Sequence, residues 1–240
     1  METEYLYGLN PVFEALRSAR RKITRAFVNQ SLLKNKRIEK FINLCEQHNI
    51  PIEKVEKGKL IQLCGSRDNQ GVALLCSHYP YVSFAEILEN ERLLLIDNVE
   101  DPHNVGAILR SAEIFGFHNV LLPRKGVPEI YPSVVKVSAG AAEFLKITKE
   151  RSANNYVNKA KEVGYTIVVL DAKGDIEIGK LPDESLKKLM LVIGGENKSV
   201  GQFIINIADF IAKIEQHGKV NSLNASVAAG VAMYAINSRL

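Results

Sequence analysis

Residues Leu93–Arg110 read LLLIDNVEDPHNVGAILR, and the fold class turns on how that stretch divides. Leu93–Ile96 is an unbroken apolar run, the pattern of a strand buried on both faces rather than on one. A polar loop follows, and a helix is expected over 104–115. Outward toward the C-terminus the same alternation recurs. Strands are expected at 119–122, 166–170, 189–193 (LMLVI) and 209–214 (DFIAKI). Between and around them come an acidic helix near 83–90, a helical stretch around 132–142, a helix over 153–163 and a closing helix over 224–238. Strands alternating with helices predict an α/β domain with a mainly parallel sheet covered on both faces.

Toward the N-terminus the spacing predicts a smaller α/β unit. Asn10-Pro11 opens a short helix, with Asn10 as its cap and Val12, Ala15 and Leu16 at helical spacing. Strand 23–28 follows, then an amphipathic helix over 34–48 with Ile38, Phe41, Ile42 and Cys45 on one face. A short strand after Pro51, a helix over 57–64 and a buried strand over 71–76 complete the unit. Residues 77–82 (SHYPYV) carry no periodicity and read as a linker. The expected division is a first domain over 1–76, a linker over 77–83 and a second domain over 84–240.

Composition narrows the function classes. The chain has 240 residues, of which 46% are hydrophobic and 24% charged, so it can bury a sizeable core and is neither a disordered tail nor a disulfide scaffold. No run approaches the ~18–20 apolar residues that span a bilayer, so no membrane partner is expected. Met1-Glu2-Thr3-Glu4 is acidic and leads into no apolar stretch, unlike a secretory signal. Cys45, Cys64 and Cys76 are odd in number and lack CxxC spacing, which fits reduced thiols in a cytoplasmic protein with no metal site. The net charge of +4 is uneven. Residues 1–80 hold 13 Lys/Arg against 8 Asp/Glu, a net of +5, whereas the remainder is at −1. The excess gathers in Arg17, Arg20, Arg21, Lys22 and Arg25, then Lys34, Lys36, Arg37 and Lys40. Such a module suits a phosphate backbone, although an ordinary solvated surface has the same composition.

Three polar or Gly-rich segments each follow an apolar strand or open a helix, where open parallel sheets bind ligands. The first, Asp97–Arg110, places Asn104 and Gly106 at a helix mouth and Arg110 further in. Asn104 could cap that helix and Arg110 could pair with Glu113, or both could meet an anionic ligand. The second, Ile193–Gly201 (IGGENKSVG), is neither a Walker loop nor a dinucleotide fingerprint, and Glu196 is its odd residue. The third, Asn221–Ala229 (NSLNASVAA), offers Ser222 and Asn224 either as helix caps or as site residues. His103 reads as a loop residue.

Together, in this order, the three segments resemble the motifs of the SpoU/TrmH family of the SPOUT class, S-adenosylmethionine-dependent RNA 2'-O-ribose methyltransferases. Tyr7–Leu16 (YGLNPVFEAL) and Asn69–Ala73 (NQGVA) resemble the opening and closing signatures of the family's N-terminal RNA-binding domain. The two-part layout is most similar to the bacterial branch that methylates a guanosine ribose of 23S rRNA. The resemblance implies an L30e-like RNA-binding domain followed by a SPOUT α/β domain with a deep trefoil knot. It implies S-adenosylmethionine as cofactor, RNA as partner and a homodimer. Gly194, Ile214 and Leu223 fall on the family's cofactor-contacting positions. Asn104, Arg110, Glu196, Ser222 and Asn224 fall on its polar catalytic positions. Asn197 and Ser199 stand where the family has glycines, and Glu215 where it has proline. The implied reaction is displacement of the methyl group by a ribose 2'-oxygen. Arg110 would hold the adjoining phosphate and stabilise the developing alkoxide, since arginine is too basic to act as a free base. A tRNA target within the same family, or a silent RNA-binding or ribosome-assembly protein, are the alternatives.

Overall fold

The computed structural model describes residues 2–196, 198–219 and 222–239. The chain divides into two compact units, 1–80 with 130–144 and 81–129 with 145–240.

The first unit is built on a four-stranded sheet. Its elements are β1 (Thr3–Tyr7), α1 (Leu9–Ser18), β2 (Ile23–Asn29), α2 (Lys36–Gln47), β3 (Ile52–Val55), α3 (Lys57–Cys64) and β4 (Val72–Ser77). The strand order is β1-β4-β2-β3. β4 runs antiparallel to both its neighbours and β3 is parallel to β2. Tyr7, Phe27, Val55, Leu60 and Ala73 form one core cluster. Ile38, Phe41 and Cys45 are buried along α2, and Ile42 is half-buried at the margin of that stripe.

Two features of this unit differ from expectation. β1 has no clear alternation in its sequence, TEYLY, and forms because an edge of β4 is free to pair with it. Asn10 does not cap α1. The helix starts two residues earlier, after Gly8 at φ 94°, and the Gln70 side chain accepts the Leu9 N–H at 2.9 Å. A residue distant in sequence thus satisfies the donor that a local cap would have taken.

The second unit comprises α4 (Phe84–Ile87), β5 (Arg92–Asp97), α5 (Pro102–Ile114) and β6 (Asn119–Leu121). After α6 (Pro132–Val137), which belongs to the first unit, it continues with β7 (Lys146–Thr148), α7 (Ala153–Glu162), β8 (Thr166–Leu170), β9 (Ile176–Glu177) and α8 (Asp183–Leu186). β10 (Leu189–Gly194), α9 (Gln202–Ile207), β11 (Phe210–Lys213) and α10 (Ala225–Asn237) complete it. Seven strands form one sheet in the order β7-β6-β5-β10-β8-β11-β9, and every pairing is parallel. Leu93 and Leu95 of β5 pack with Met190 and Val192 of β10 and with Tyr156, Val157 and Ala160 of α7. Leu94 and Ile96, equally buried, alternate to the opposite face. Burial on both faces explains the absence of polar alternation in LLLI and LMLVI. From β5 the chain moves outward to β6 and β7. Beyond β10 it moves the other way to β11, so the carboxyl ends of the central pair open a crevice.

The stretch at 132–142, expected within the second domain, divides into α6 and a 3-10 turn at Ala141–Phe144. Both pack with the first unit. The reason is an ion pair invisible to periodicity. Arg21 Nε donates to Glu143 Oε2 at 3.0 Å, its second amino group lies 2.8 Å from Oε1, and both side chains are fully buried. Arg21 also pairs with Glu4 and donates to Ser77 O at 3.1 Å. Arg20 donates to the carbonyls of Pro80 and Glu143. Arg21 is therefore not part of an exposed basic face, contrary to its place in the sequence cluster. Lys22, Lys34, Lys36 and Lys40 make no ion pair with any described residue, while Arg17 and Arg25 are taken up by Glu14 and Glu53.

Breaking this buried pair leaves an uncompensated charge in the core. Glu143→Ala should lower the stability of the fold by about 3–5 kcal/mol, read from urea unfolding. Lys34→Ala, at an exposed and unpaired lysine, should change it by less than about 0.5 kcal/mol.

Candidate active site

β8, β10 and β11 end side by side, and the residues just past their ends bound a cavity of about 290 Å3. Leu170 and Asp171 contribute from β8, Ile193–Glu196 from β10, and Ile214 and Gln216 from β11. Ser222, Leu223, Ala225 and Ala228 close it from the last segment. The lining combines Ile, Leu and Ala side chains with glycine backbone and a few polar groups, Asp171, Lys173, Glu196, Gln216 and Ser222 among them. That mixture suits a flat heteroaromatic group with a polar tail, and two carboxylates are available to a cationic centre. All three positions expected to contact cofactor, Gly194, Ile214 and Leu223, lie on it, as do Glu196 and Ser222.

Beside the cavity three expected residues form one hydrogen-bond network. Asn224 Nδ2 donates to Glu196 Oε1 at 2.5 Å and to Asn104 Oδ1 at 2.9 Å. Asn104 Nδ2 donates to the same carboxylate oxygen at 3.3 Å, and the Ala225 N–H joins it at 3.3 Å. Asn224 Oδ1 caps α10, accepting from Ser226 N and Oγ and from Val227 N. The residue that caps α10 thus also joins the network beside the cavity. The side chain is fully occupied: both amide protons and the oxygen are engaged. Asn104 does not cap α5. Asp101 does, accepting the His103 N–H at 2.8 Å, and this frees Asn104 to reach Glu196.

Arg110 stands apart. It is exposed on α5, does not line the cavity and forms no hydrogen bond or ion pair with any described residue, Glu113 included. Glu215, though it follows Ile214, is exposed and lies 3.8 Å from His217 Nε2, away from the cavity lining. Ser199 does line it. Asn197 lies outside the described residues.

Sequence reasoning passed over the groups that hold the Gly-rich loop in place. Asp97 is buried, and its carboxylate accepts the Gly201 N–H at 3.2 Å. Burial pushes this carboxyl above the usual carboxylate range, against the N–H groups of Gly201 and Asn98 that favour its charged form. Asn98, at φ 55°, donates to Ser199 O at 3.3 Å. Asp-Asn directly after an apolar strand was the available signal, since Asn tolerates this left-handed conformation. The loop's glycines are set by close approach: a Cβ at Gly195 would lie 2.0 Å from Asn98 O, and one at Gly194 would lie 2.7 Å from Val200 N.

A parallel sheet with a ligand cavity at its carboxyl edge, walled by a glycine loop and bordered by a Glu–Asn–Asn network, defines an α/β enzyme with a small-molecule site. Comparison with known proteins makes this specific. Residues 91–234 match the SpoU rRNA Methylase family, and residues 5–82 match the family described as RNA 2'-O ribose methyltransferase substrate binding. YacO of Bacillus subtilis (strain 168), placed in the TrmH family of tRNA/rRNA methyltransferases, is 32% identical over 97% of this chain and 94% of its own. An AdoMet-bound rRNA methyltransferase from Sinorhizobium meliloti superimposes with a TM-score of 0.82 at 20% identity, over 99% of this chain and 88% of that one. The SpoU methyltransferase AviRb from Streptomyces viridochromogenes, in complex with AdoMet, gives 0.79 at 20% identity, over 99% and 90%. The chain belongs to the SpoU rRNA methylase family, RNA methyltransferases whose methyl donor is S-adenosylmethionine.

Because the Asn98 carbonyl cannot yield to a new methyl group, Gly195→Ala should force the two loops apart. Destabilisation of about 1–3 kcal/mol is expected in urea unfolding. Gly58→Ala, in open space, should leave stability unchanged or slightly raised.

Proposed function

We propose that this protein transfers the methyl group of S-adenosylmethionine to a ribose 2'-hydroxyl in RNA, with a guanosine of 23S rRNA as its target. The observation that carries this reading is the convergence of Gly194, Glu196, Ile214, Ser222 and Leu223 on one cavity beside the Asn104–Glu196–Asn224 network. When bound, the cofactor supplies a methyl group on a cationic sulfur that leaves as a neutral thioether. Gly194, Ile214 and Leu223 hold it by backbone and apolar contact. Glu196, Asn224 and Asn104 form a rigid unit, because each is fixed by another. Asn104 keeps one amide proton uncommitted among the described residues, available to orient a ribose oxygen. Arg110 offers a guanidinium without a competing partner. It holds the phosphate next to the reacting ribose and stabilises negative charge on the 2'-oxygen as its proton passes to solvent water. The first unit supplies further phosphate contacts through Lys22, Lys34, Lys36 and Lys40, and its match to the substrate-binding family supports that role.

The same reading carries a deep trefoil knot around the cofactor site, a cytoplasmic location and a homodimer. Support for the dimer comes from α5 and α10, which leave Ile114, Val227, Val231 and Tyr234 exposed on the second unit. An apolar surface of that kind is characteristic of an interface. Tyr234→Asp combined with Val231→Asp should convert the dimer to monomer in sedimentation, and a wild-type monomer at micromolar concentration refutes the assembly.

Methyl transfer from labelled S-adenosylmethionine to separated, unmodified 23S rRNA, 16S rRNA and tRNA tests the reaction. Label at one 23S ribose is expected, and Arg110→Lys should lower turnover by about 10²–10³-fold while cofactor affinity is kept. Label confined to tRNA overturns the target. No label, from folded protein that binds rRNA, overturns the chemistry in favour of a silent RNA-binding protein.

A further inference from the structure

The carboxyl edge of the second unit holds another cleft, on the far side of the β5–β10 pair from the cofactor cavity. It encloses about 740 Å3 at the ends of β5, β6 and β7. Arg124 and Lys125 enter it from the loop after β6, and Arg151 and Ser152 from the loop after β7. Arg124 and Lys125 are exposed, and neither side chain has a hydrogen-bond or ion-pair partner among the described residues. Arg151 lies 3.7 Å from Glu150 Oε1 with its guanidinium over the Phe84 ring, and about half of its side chain is exposed.

Two carboxylates in the lining, Glu150 and Asp97, offset part of this charge, and Glu150 is the one beside Arg151, so Arg124 and Lys125 are the cations left without an opposite charge. Glu150 Oε1 accepts the Phe84 N–H at 2.9 Å, and Asp97 is buried against Gly201 N. The N-terminus of α7 adds to the same sign. Ser152 Oγ accepts only the Asn155 N–H, leaving the preceding N–H groups of the first turn beside Ala153, which lines the cleft. A space of this volume, with two unpaired cations on one loop and Arg151 on the next, opening on the same sheet edge as the cofactor cavity, fits a polyanion better than a single compact anion.

We propose that this cleft binds the ribose–phosphate backbone of the RNA strand flanking the nucleotide presented to the cofactor cavity, through residues other than the lysines of the first unit. The proposal rests on the methyltransferase reading for its substrate. Its contacts are sequence-independent, positioning the strand without reading bases.

The test uses the full-length protein and a labelled single-stranded oligouridylate, with affinity measured across a salt series. Arg124→Ala with Lys125→Ala should reduce the slope of log affinity against log salt by about 1.4, at about 0.7 per lost phosphate contact. S-adenosylmethionine affinity by calorimetry and the unfolding midpoint should stay at wild-type values. The charge-keeping pair Arg124→Lys with Lys125→Arg should restore the slope. An unchanged slope in the alanine variant, or a wild-type protein that does not bind the oligouridylate, overturns the cleft. Should the double variant fail to fold, Arg151→Gln alone must lower the slope by about 0.7, and no change there is equally fatal. Methyl transfer by the wild type separates the two claims. Transfer with identical slopes refutes the cleft alone, and a slope difference without transfer to any RNA refutes the enzyme reading alone.

Discussion

The Asn98 carbonyl oxygen occupies the place that a side chain on residue 195 would need. That close approach fixes the loop after β5 against the loop after β10. It follows from the parallel register of the two strands, in which Ile96 faces Ile193 and Asp97 faces Gly194, so both end at the same level. Asp97 and Asn98 then bond to Gly201 and Ser199 on the returning side of the Gly-rich loop. Glu196 is held at the crest of that loop, where its carboxylate can gather Asn104 from α5 and Asn224 from the start of α10. The network joins three stretches far apart in sequence, and its geometry is an outcome of strand register.

Energetic roles divide along the same line. The cavity lining is mostly apolar and backbone, as expected where shape provides much of the binding. The polar network beside it has its donors and acceptors largely matched, so it is rigid before any ligand arrives. Arg110, and Arg124 and Lys125 of the second cleft, are the opposite: long, exposed and unpartnered among the described residues. Such side chains suit a substrate that brings its own charge, because contact with phosphate releases counterions and costs the fold nothing when absent. In the first unit, by contrast, Arg21 is committed to Glu143 and Glu4, and its charge belongs to the architecture.

Much of the fold was legible along the chain. LLLI and LMLVI announced buried parallel strands because neither face of the central pair meets solvent. Helices α2, α3, α5 and α7 followed from spacing and caps to within a few residues. The short helices α8 and α9 escaped, and so did the strands with least intrinsic signal: β1 on a sheet edge, β7 with three residues, β9 with two. Each of these strands exists because a neighbouring strand offers unpaired backbone groups, and a local window cannot see that neighbour.

For the site, residue types and order were sufficient to recover the family, since the three motifs carry a Glu, two Asn, a Ser and an Arg at strand and helix boundaries. Strand and helix periodicity is a local property, so the amino-acid order alone reveals which residues stand at the carboxyl edge and at helix starts. That Asn224 both caps α10 and binds Glu196, that Asp101 rather than Asn104 caps α5, that Glu215 is absent from the cavity lining and that Arg21 is buried emerges in three dimensions. Those outcomes depend on where backbone from distant segments comes to lie, and no local pattern encodes a through-space distance.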